Sequence, residues 1–152
     1  MKHIVLRQYQ EIVDRAAELV AGFSTPPEGW IRTLRSALGM SGAQLARRMK
    51  VSRSSVAQAE KNEVTGAITL KTLNNMAQAM DCRVVYMIVP ETSAGALVKR
   101  RARDKAEQIV TATDIHMALE SQALGDDKHQ FEVERLQREL VSEMPSDLWN
   151  DL

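Results

Sequence analysis

The chain has 152 residues, 44% of them hydrophobic but only 4% aromatic, with eight methionines, one cysteine and a formal net charge of zero. That scale fits one domain with helical extensions, and the aromatic-poor, Met-rich composition favours a helical core over a β-sandwich. The single Cys82 excludes an intramolecular disulfide and a four-cysteine metal cluster. The longest apolar run, residues 84–89, is too short to cross a bilayer, and the first residues lack the apolar stretch of a secretory signal, so a soluble cytoplasmic protein is expected.

The first predicted element is a helix over residues 3–21, with Val5, Leu6, Tyr9, Ile12, Val13, Ala16, Leu19 and Val20 at helical spacing and Gly22 as its C-cap. A second helix is expected to begin at Thr25-Pro26-Pro27-Glu28, with Thr25 capping, proline in the first turn and Glu28 closing a capping box. It runs through Trp30, Ile31, Leu34 and Leu38 to Gly39, and Trp30 is expected in the core.

Residues 41–63 then read as two short capped helices joined by a tight turn. Ser41 and Gln44 form a capping box, and Leu45, Ala46 and Met49 share one face. Lys50-Val51 makes the turn, Val51 plugs it, and Ser52 caps the next helix. There Val56 and Ala59 face inward while Arg53, Ser54, Ser55 and Gln58 point out. Ala46 sits where two crossing helices leave little room. A polar, outward-facing start to the second of two such helices is the pattern of a helix-turn-helix, which makes double-stranded DNA the first partner to consider.

A loop over 64–68 contains Gly66, and Thr69 caps a further helix through Leu70, Leu73, Met76, Ala77 and Met80. Residues 83–89, Arg83, Val84, Val85, Tyr86, Met87, Ile88 and Val89, are β-branched and apolar between Asp81-Cys82 and Pro90, and predict a strand. A lone strand leaves its N–H and C=O groups without partners. Two copies paired antiparallel across a homodimer would satisfy them; the alternative is an edge segment packed on its own helices. From about Ser93 the pattern returns to helix through Leu97, Val98, Ala102, Ala106, Ile109, Val110, Thr113 and Met117. Gly125-Asp126-Asp127 breaks it, and a last amphipathic helix carries Phe131, Val133, Leu136, Leu140 and Val141, ending before Met144-Pro145.

The zero net charge conceals a division. Residues 1–105 hold 17 Lys and Arg against 9 Asp and Glu, a balance of +8, while residues 106–152 hold 3 against 11, a balance of −8. Segment 30–83 alone carries 9 basic and 3 acidic residues, so the basic excess covers the helix-turn-helix, where phosphate neutralisation supplies affinity independent of sequence.

Residues 29–90 resemble the DNA-binding domain of Xre and phage-repressor regulators, and the apolar strand after the helices is similar to persistence-type antitoxins that dimerise through it. Over nearly the whole chain, PPEGWIRTLRSALGMSGAQLARRMKVS, AITLKTLNNMAQAMDCRVVYMIVP, MALESQ and the terminal LW resemble the family called mobile mystery protein A. That resemblance implies an Xre-type regulator encoded beside a Fic/Doc-domain protein, a pairing typical of toxin and antitoxin. It implies an all-α fold: a phage-repressor-like helix-turn-helix domain with one dimerising β-strand and N- and C-terminal helical extensions. The expected division is 1–24, 25–90 and 91–152. The repressor pattern places Arg53, Ser54 and Gln58 against base edges and Gln44, Ser55, Lys61, Thr69 and Lys71 against phosphates, with Arg35 and Glu60 as a partly buried ion pair. Gly42 departs from it, standing where many repressors carry a glutamine that touches the DNA backbone.

Other features have competing readings. His3, His116 and His129 lack ligand spacing, and Cys82 lacks an activating base, so structural roles are expected and no metal or cofactor. The basic run Lys99–Lys105 either embraces DNA phosphates or is a solvated helix face. Trp149 anchors a partner or folds back on its own domain. Ser24–Gly29 matches the letters of the inhibitory motif of Fic antitoxins, S/T-x-x-x-E-G/N, but two prolines cannot sit inside the helix that presents such a glutamate. No phosphate loop, nucleophile elbow or carboxylate pair suggests an enzyme. The reading is an autorepressing antitoxin of a Fic/Doc-type toxin, acting as a DNA-binding homodimer away from membranes. The alternatives are a toxin neutraliser whose DNA binding is secondary, or a plain repressor.

Overall fold

A computed structural model of the chain describes residues 2–119 and 125–150; the MALESQ stretch at 117–122 runs beyond them. Among the described residues there are seven helices and no strand: α1 (Lys2–Leu19), α2 (Trp30–Ala37), α3 (Gly42–Met49), α4 (Arg53–Thr65), α5 (Leu70–Ala79), α6 (Ala94–Leu119) and α7 (Asp126–Glu143). None of these helices is long and apolar enough to cross a membrane. The chain divides into two compact units, Val20–Met87 and Met1–Leu19 with Ile88–Leu152.

In the Val20–Met87 unit, short polar side chains set the helix boundaries. Ser41 Oγ accepts the Gln44 N–H at 3.2 Å while Gln44 Oε1 accepts the Ser41 N–H at 2.6 Å, a complete capping box. Lys50 turns the chain in the left-handed region at φ 59°, and Ser52 Oγ caps α4 by accepting the Ser55 N–H at 3.1 Å. Gly66, at φ 77°, ends α4, and Thr69 Oγ1 caps α5 at 3.1 Å from the Thr72 N–H. The core is Ile31, Leu45, Ala46, Val56, Ala59, Met76 and Met80, with Leu34, Met40 and Leu73 packed against it. Leu45 is fully buried and Ala46 nearly so, which lets α3 lie close to its neighbours. Cys82 is half-buried against this core, its thiol directed at the Met80 carbonyl at 3.2 Å.

Four expectations change in this unit. The second helix starts at Trp30 rather than Thr25, and residues 24–29 are loop and turn, so Thr25 and Glu28 form no capping box. Its N-cap is Gly29 at φ 81°, a conformation natural to glycine, and no side chain of its own segment caps it. Trp30 lies 47% exposed and stacks on Phe23 with ring centroids 6.3 Å apart, rather than filling the core. Val51 is 42% exposed beside the turn instead of plugging it. Residues 83–89 form no ladder: a strand is defined by paired neighbours, and the described residues supply none, while Val85, Tyr86, Met87 and Ile88 are exposed.

The other unit is built on the α6–α7 hairpin with α1. Asp14 Oδ1 accepts the Ala94 N–H at 2.7 Å and Ser93 Oγ accepts the Ala96 N–H at 3.1 Å, so two side chains cap α6. Ala102 and Ala106 are fully buried, and small residues there let Val133 and Leu140 of α7 and Leu148 beyond it close on α6. His129 of α7 bonds Asp114 of α6 through Nδ1.

Part of the basic run at 99–105 has a structural use that neither of its two readings anticipated. The buried Lys105 ammonium donates to Asp147 Oδ2 at 3.0 Å and to the Asp147 carbonyl. Arg101 donates to the carbonyls of Leu148 at 2.9 Å and Asn150 at 2.8 Å. Together they strap residues 147–150 to α6, with Leu148 seated in the core and Trp149 left exposed.

The strap makes a pH prediction. The hydrogen bond from Lys105, and after it the charge of Lys105, holds the Asp147 carboxyl below the ordinary carboxylate range. A depressed folded-state value means stability that is present above the unfolded-state value and lost as pH falls through the folded one. Asp147→Asn should therefore melt lower than wild type at pH 7, and the gap should begin to narrow near about pH 4 and keep narrowing as pH falls through the lower folded-state value. Thermal melts from pH 2 to 8 check this; a gap that stays constant down to pH 2 would contradict it.

Candidate nucleic-acid interface

The outer surface of α4 is determined by what its inner surface holds. Val56 and Ala59 are buried in the core, and two carboxylates on the same helix reach α2. Glu60 Oε1 accepts from Arg35 Nε at 2.8 Å and Oε2 from the same guanidinium at 3.3 Å, while Arg35 also donates to the Met40 carbonyl at 2.9 Å. Both side chains of the pair are more than four-fifths buried, where a fork-to-fork geometry is worth more than at the surface. Three residues on, Glu63 Oε1 accepts the Trp30 N–H at 2.7 Å and Oε2 accepts the Ile31 N–H at 2.9 Å. A carboxylate from 32 residues away thus supplies the cap that the local sequence of α2 does not.

With these contacts facing inward, the rest of α4 faces out. Arg53, Ser54, Ser55, Gln58 and Lys61 are all exposed. Ser54 Oγ and Ser55 Oγ lie 2.9 and 2.7 Å from Ser52 Oγ, so the three hydroxyls form one cluster at the helix start. Gln58 Nε2 donates to Asn62 Oδ1 at 2.8 Å, which fixes the plane of its amide. An open groove of about 600 Å³ runs between α4 and the start of α5, lined by Ser54, Ser55, Gln58, Asn62, Thr69 and Thr72 together with Ala59, Ala67 and Ile68. Its polar lining is entirely hydroxyl and amide. The exposed Thr69 and Lys71 stand at its far edge, on the first turn of α5. Gln44 is exposed at the start of α3, and its Oε1 is committed to the capping box, which leaves its Nε2 hydrogens for other acceptors.

The charge on this unit is one-sided for a definite reason. Each carboxylate among residues 30–83 is engaged: Glu60 by Arg35, Glu63 by the α2 amides, and Asp81 by Arg48 at 3.0 Å. Arg47, Lys50, Arg53, Lys61, Lys71 and Arg83 are exposed and make no ion pair among the described residues. The free N–H groups at the starts of α3, α4 and α5 add positive potential there. A surface with unpaired cations and hydrogen-bonding groups but no free carboxylate suits a polyanion. No group of three His, Cys, Asp or Glu residues among the described residues is placed to hold a metal ion.

Glu63, Asn62 and Thr72 were not singled out from the sequence. A capping box is legible because its members lie three apart, whereas Glu63 acts across 32 residues. Gly29 carried the only signal: a Cβ built on it would lie 2.8 Å from Glu63 Oε2, and its φ of +81° disfavours any side chain. Glu63→Ala should destabilise the domain by about 1–2 kcal/mol through the two lost caps. Gly29→Ala should destabilise it comparably through strain, while a control such as Gly42→Ala, where an added Cβ meets nothing within 4 Å, should not. Urea unfolding followed by circular dichroism measures this, and an unchanged Glu63→Ala midpoint would refute the cap.

Comparison with curated proteins and with solved structures gives no match to this chain. A family model described as helix-turn-helix matches residues 31–87, which take in α2 from its second residue, α3, α4, α5 and the start of the extended segment. The match thus falls on the unit whose α3-turn-α4 geometry and unpaired cations have just been described. Residues 31–87 are a helix-turn-helix domain, and the chain that carries it is a DNA-binding transcriptional regulator.

Proposed function

We propose that the chain is an operator-binding autorepressor that reads the major groove with the outer face of α4. The observation that carries this reading is the face itself: Arg53, Ser54 and Gln58 exposed along a helix whose carboxylates are all turned inward. In this reading Arg53 bonds guanine O6 and N7, Gln58 bonds adenine N6 and N7 with its amide plane set by Asn62, and Ser54 completes the base contacts. Gln44, Ser55, Lys61, Thr69 and Lys71 meet phosphates on either side and fix the register. The Arg35–Glu60 pair acts structurally, holding α4 at its angle to α2.

Operators of such domains are two-fold, with half-sites about one helical turn apart. The exposed, apolar segment 83–89 supports pairing of two copies through it. Fluorescence anisotropy on the region upstream of the gene tests both parts. Arg53→Ala should cost about 1–3 kcal/mol and relax discrimination at one base pair, and Val85→Pro should weaken binding to a palindromic site while yielding monomer in sedimentation. Specific binding by an Arg53→Ala, Gln58→Ala double variant equal to wild type would sink the assignment.

We further propose that the regulator is the antitoxin of a Fic/Doc-type toxin and binds it through the helices after residue 93. What supports this is the resemblance stated above, together with the −8 balance of residues 106–152, which phosphates would repel. The inhibitory-motif route is not part of the proposal, because Ser24–Gly29 is loop and turn rather than helix. The product of the neighbouring gene should co-purify with the full chain and not with residues 20–92. Equal capture by both, or by neither, would overturn the assignment of the C-terminal helices.

A further inference from the structure

The hydroxyl that caps α4 also stands between two other hydroxyls. Ser52 Oγ accepts the Ser55 N–H at 3.1 Å and lies 2.9 Å from Ser54 Oγ and 2.7 Å from Ser55 Oγ. A serine hydroxyl has one hydrogen and two lone pairs. The amide occupies one lone pair, which leaves one lone pair and one hydrogen for two neighbours. Ser52 therefore donates to one of them and accepts from the other. Of Ser54 and Ser55, one has its hydrogen committed to Ser52 and can only accept from a ligand. The other keeps its hydrogen and can donate. The distances alone allow both arrangements.

We propose that these three hydroxyls are a directional relay through which the phosphate contact of Ser55 makes Ser54 an acceptor, so that α4 selects cytosine or adenine at one position. The relay rests on the reading above, in which Ser55 meets a phosphate and Ser54 a base edge. Phosphate oxygens only accept, so the hydroxyl that meets one must bring a hydrogen. With the Ser55 hydrogen on the phosphate, Ser52 donates to Ser55, and Ser54 donates to Ser52. Ser54 Oγ then presents only a lone pair to the major groove. There cytosine N4 and adenine N6 carry hydrogens, whereas guanine O6 and N7 and thymine O4 are acceptors. Two acceptors facing each other at an interface that excludes water leave both unsatisfied. Ser55 thus sets a base preference at a position that it does not touch.

The test is fluorescence anisotropy of full-length protein on duplexes from the region upstream of the gene, with each base pair of the bound site changed in turn. The position at which Ser54→Ala loses discrimination is the one that Ser54 reads. Wild type should bind several-fold more tightly there with cytosine or adenine than with guanine or thymine. Replacing that adenine by purine, or that cytosine by 2-pyrimidinone, removes the amino group and should weaken binding to a similar degree. Ser55→Ala keeps the N–H that Ser52 caps but takes away the acceptor of the Ser52 hydrogen. Ser54 is then free to donate outward, and the ratio should shift several-fold toward guanine or thymine. Loss of a phosphate contact alone would lower affinity for all bases alike and leave that ratio unmoved. Ser55→Thr returns the hydroxyl and should restore the ratio. A wild-type preference for guanine or thymine, a ratio unmoved by Ser55→Ala, or one that Ser55→Thr fails to restore would overturn the relay. So would a Ser54→Ala protein that discriminates as wild type does while Arg53→Ala does not. If neither Arg53→Ala nor Ser54→Ala alters binding to any duplex, the reading of α4 itself fails, and the relay with it.

Discussion

The helix-turn-helix domain depends on two carboxylates, one turn apart on α4, being turned inward. Glu60 clasps the Arg35 guanidinium and Glu63 takes the first two free amides of α2. Either contact alone would leave α2 free to pivot about a point. Together they fix both of its ends, because an ion pair in the last turn of a helix and a cap at its start constrain different motions. The core beneath supplies most of the burial, yet apolar contacts are non-directional. It is the polar geometry that sets the angle at which α4 presents its outer face.

The same two contacts also determine the electrostatics. A carboxylate on the outside of α4 would repel a phosphate backbone and would compete for Arg53 or Lys61. By spending Glu60 and Glu63 on α2, and Asp81 on Arg48, the domain leaves six cations unopposed. Architecture and charge are thus one solution. This also explains how a chain of zero net charge carries a basic domain: the compensating acids lie in the other unit, with its own α6–α7 core.

Local chemistry was the part of this protein legible in the sequence. Ser41, Ser52 and Thr69 cap the helices they precede, because a cap and its target lie within three or four residues, whereas α4 runs on through Val64 and Thr65, which were expected as loop, to end at Gly66. The helix-turn-helix was legible for the same reason, being a string of such local signals with Ala46 and Val56 in register. Contacts spanning long stretches of chain were not. The Thr25-to-Glu28 capping box looked complete by spacing, but the backbone at Gly29 turns into the left-handed region and Glu63 takes the amides instead. Trp30 looked like core by hydrophobicity, yet its position on α2 faces away from Ile31 and onto Phe23. Arg101 and Lys105 looked like a solvated or DNA-facing run because nothing nearby in sequence announces that residues 147–150 return to them. The strand at 83–89 was inferred from composition, which specifies a preference for extended backbone without providing the neighbour that a ladder requires.

The central claim is that α4, held by Glu60 and Glu63, is the surface that meets DNA. Amide chemical-shift mapping of the isotope-labelled full chain, titrated with a duplex from the upstream region, tests it most directly. The account predicts the largest shifts at Ser52–Gln58, with a second group at Thr69–Lys71, and small shifts across α7. Shifts concentrated on α1 or α7, or a titration that leaves Ser52–Gln58 unmoved, would contradict it.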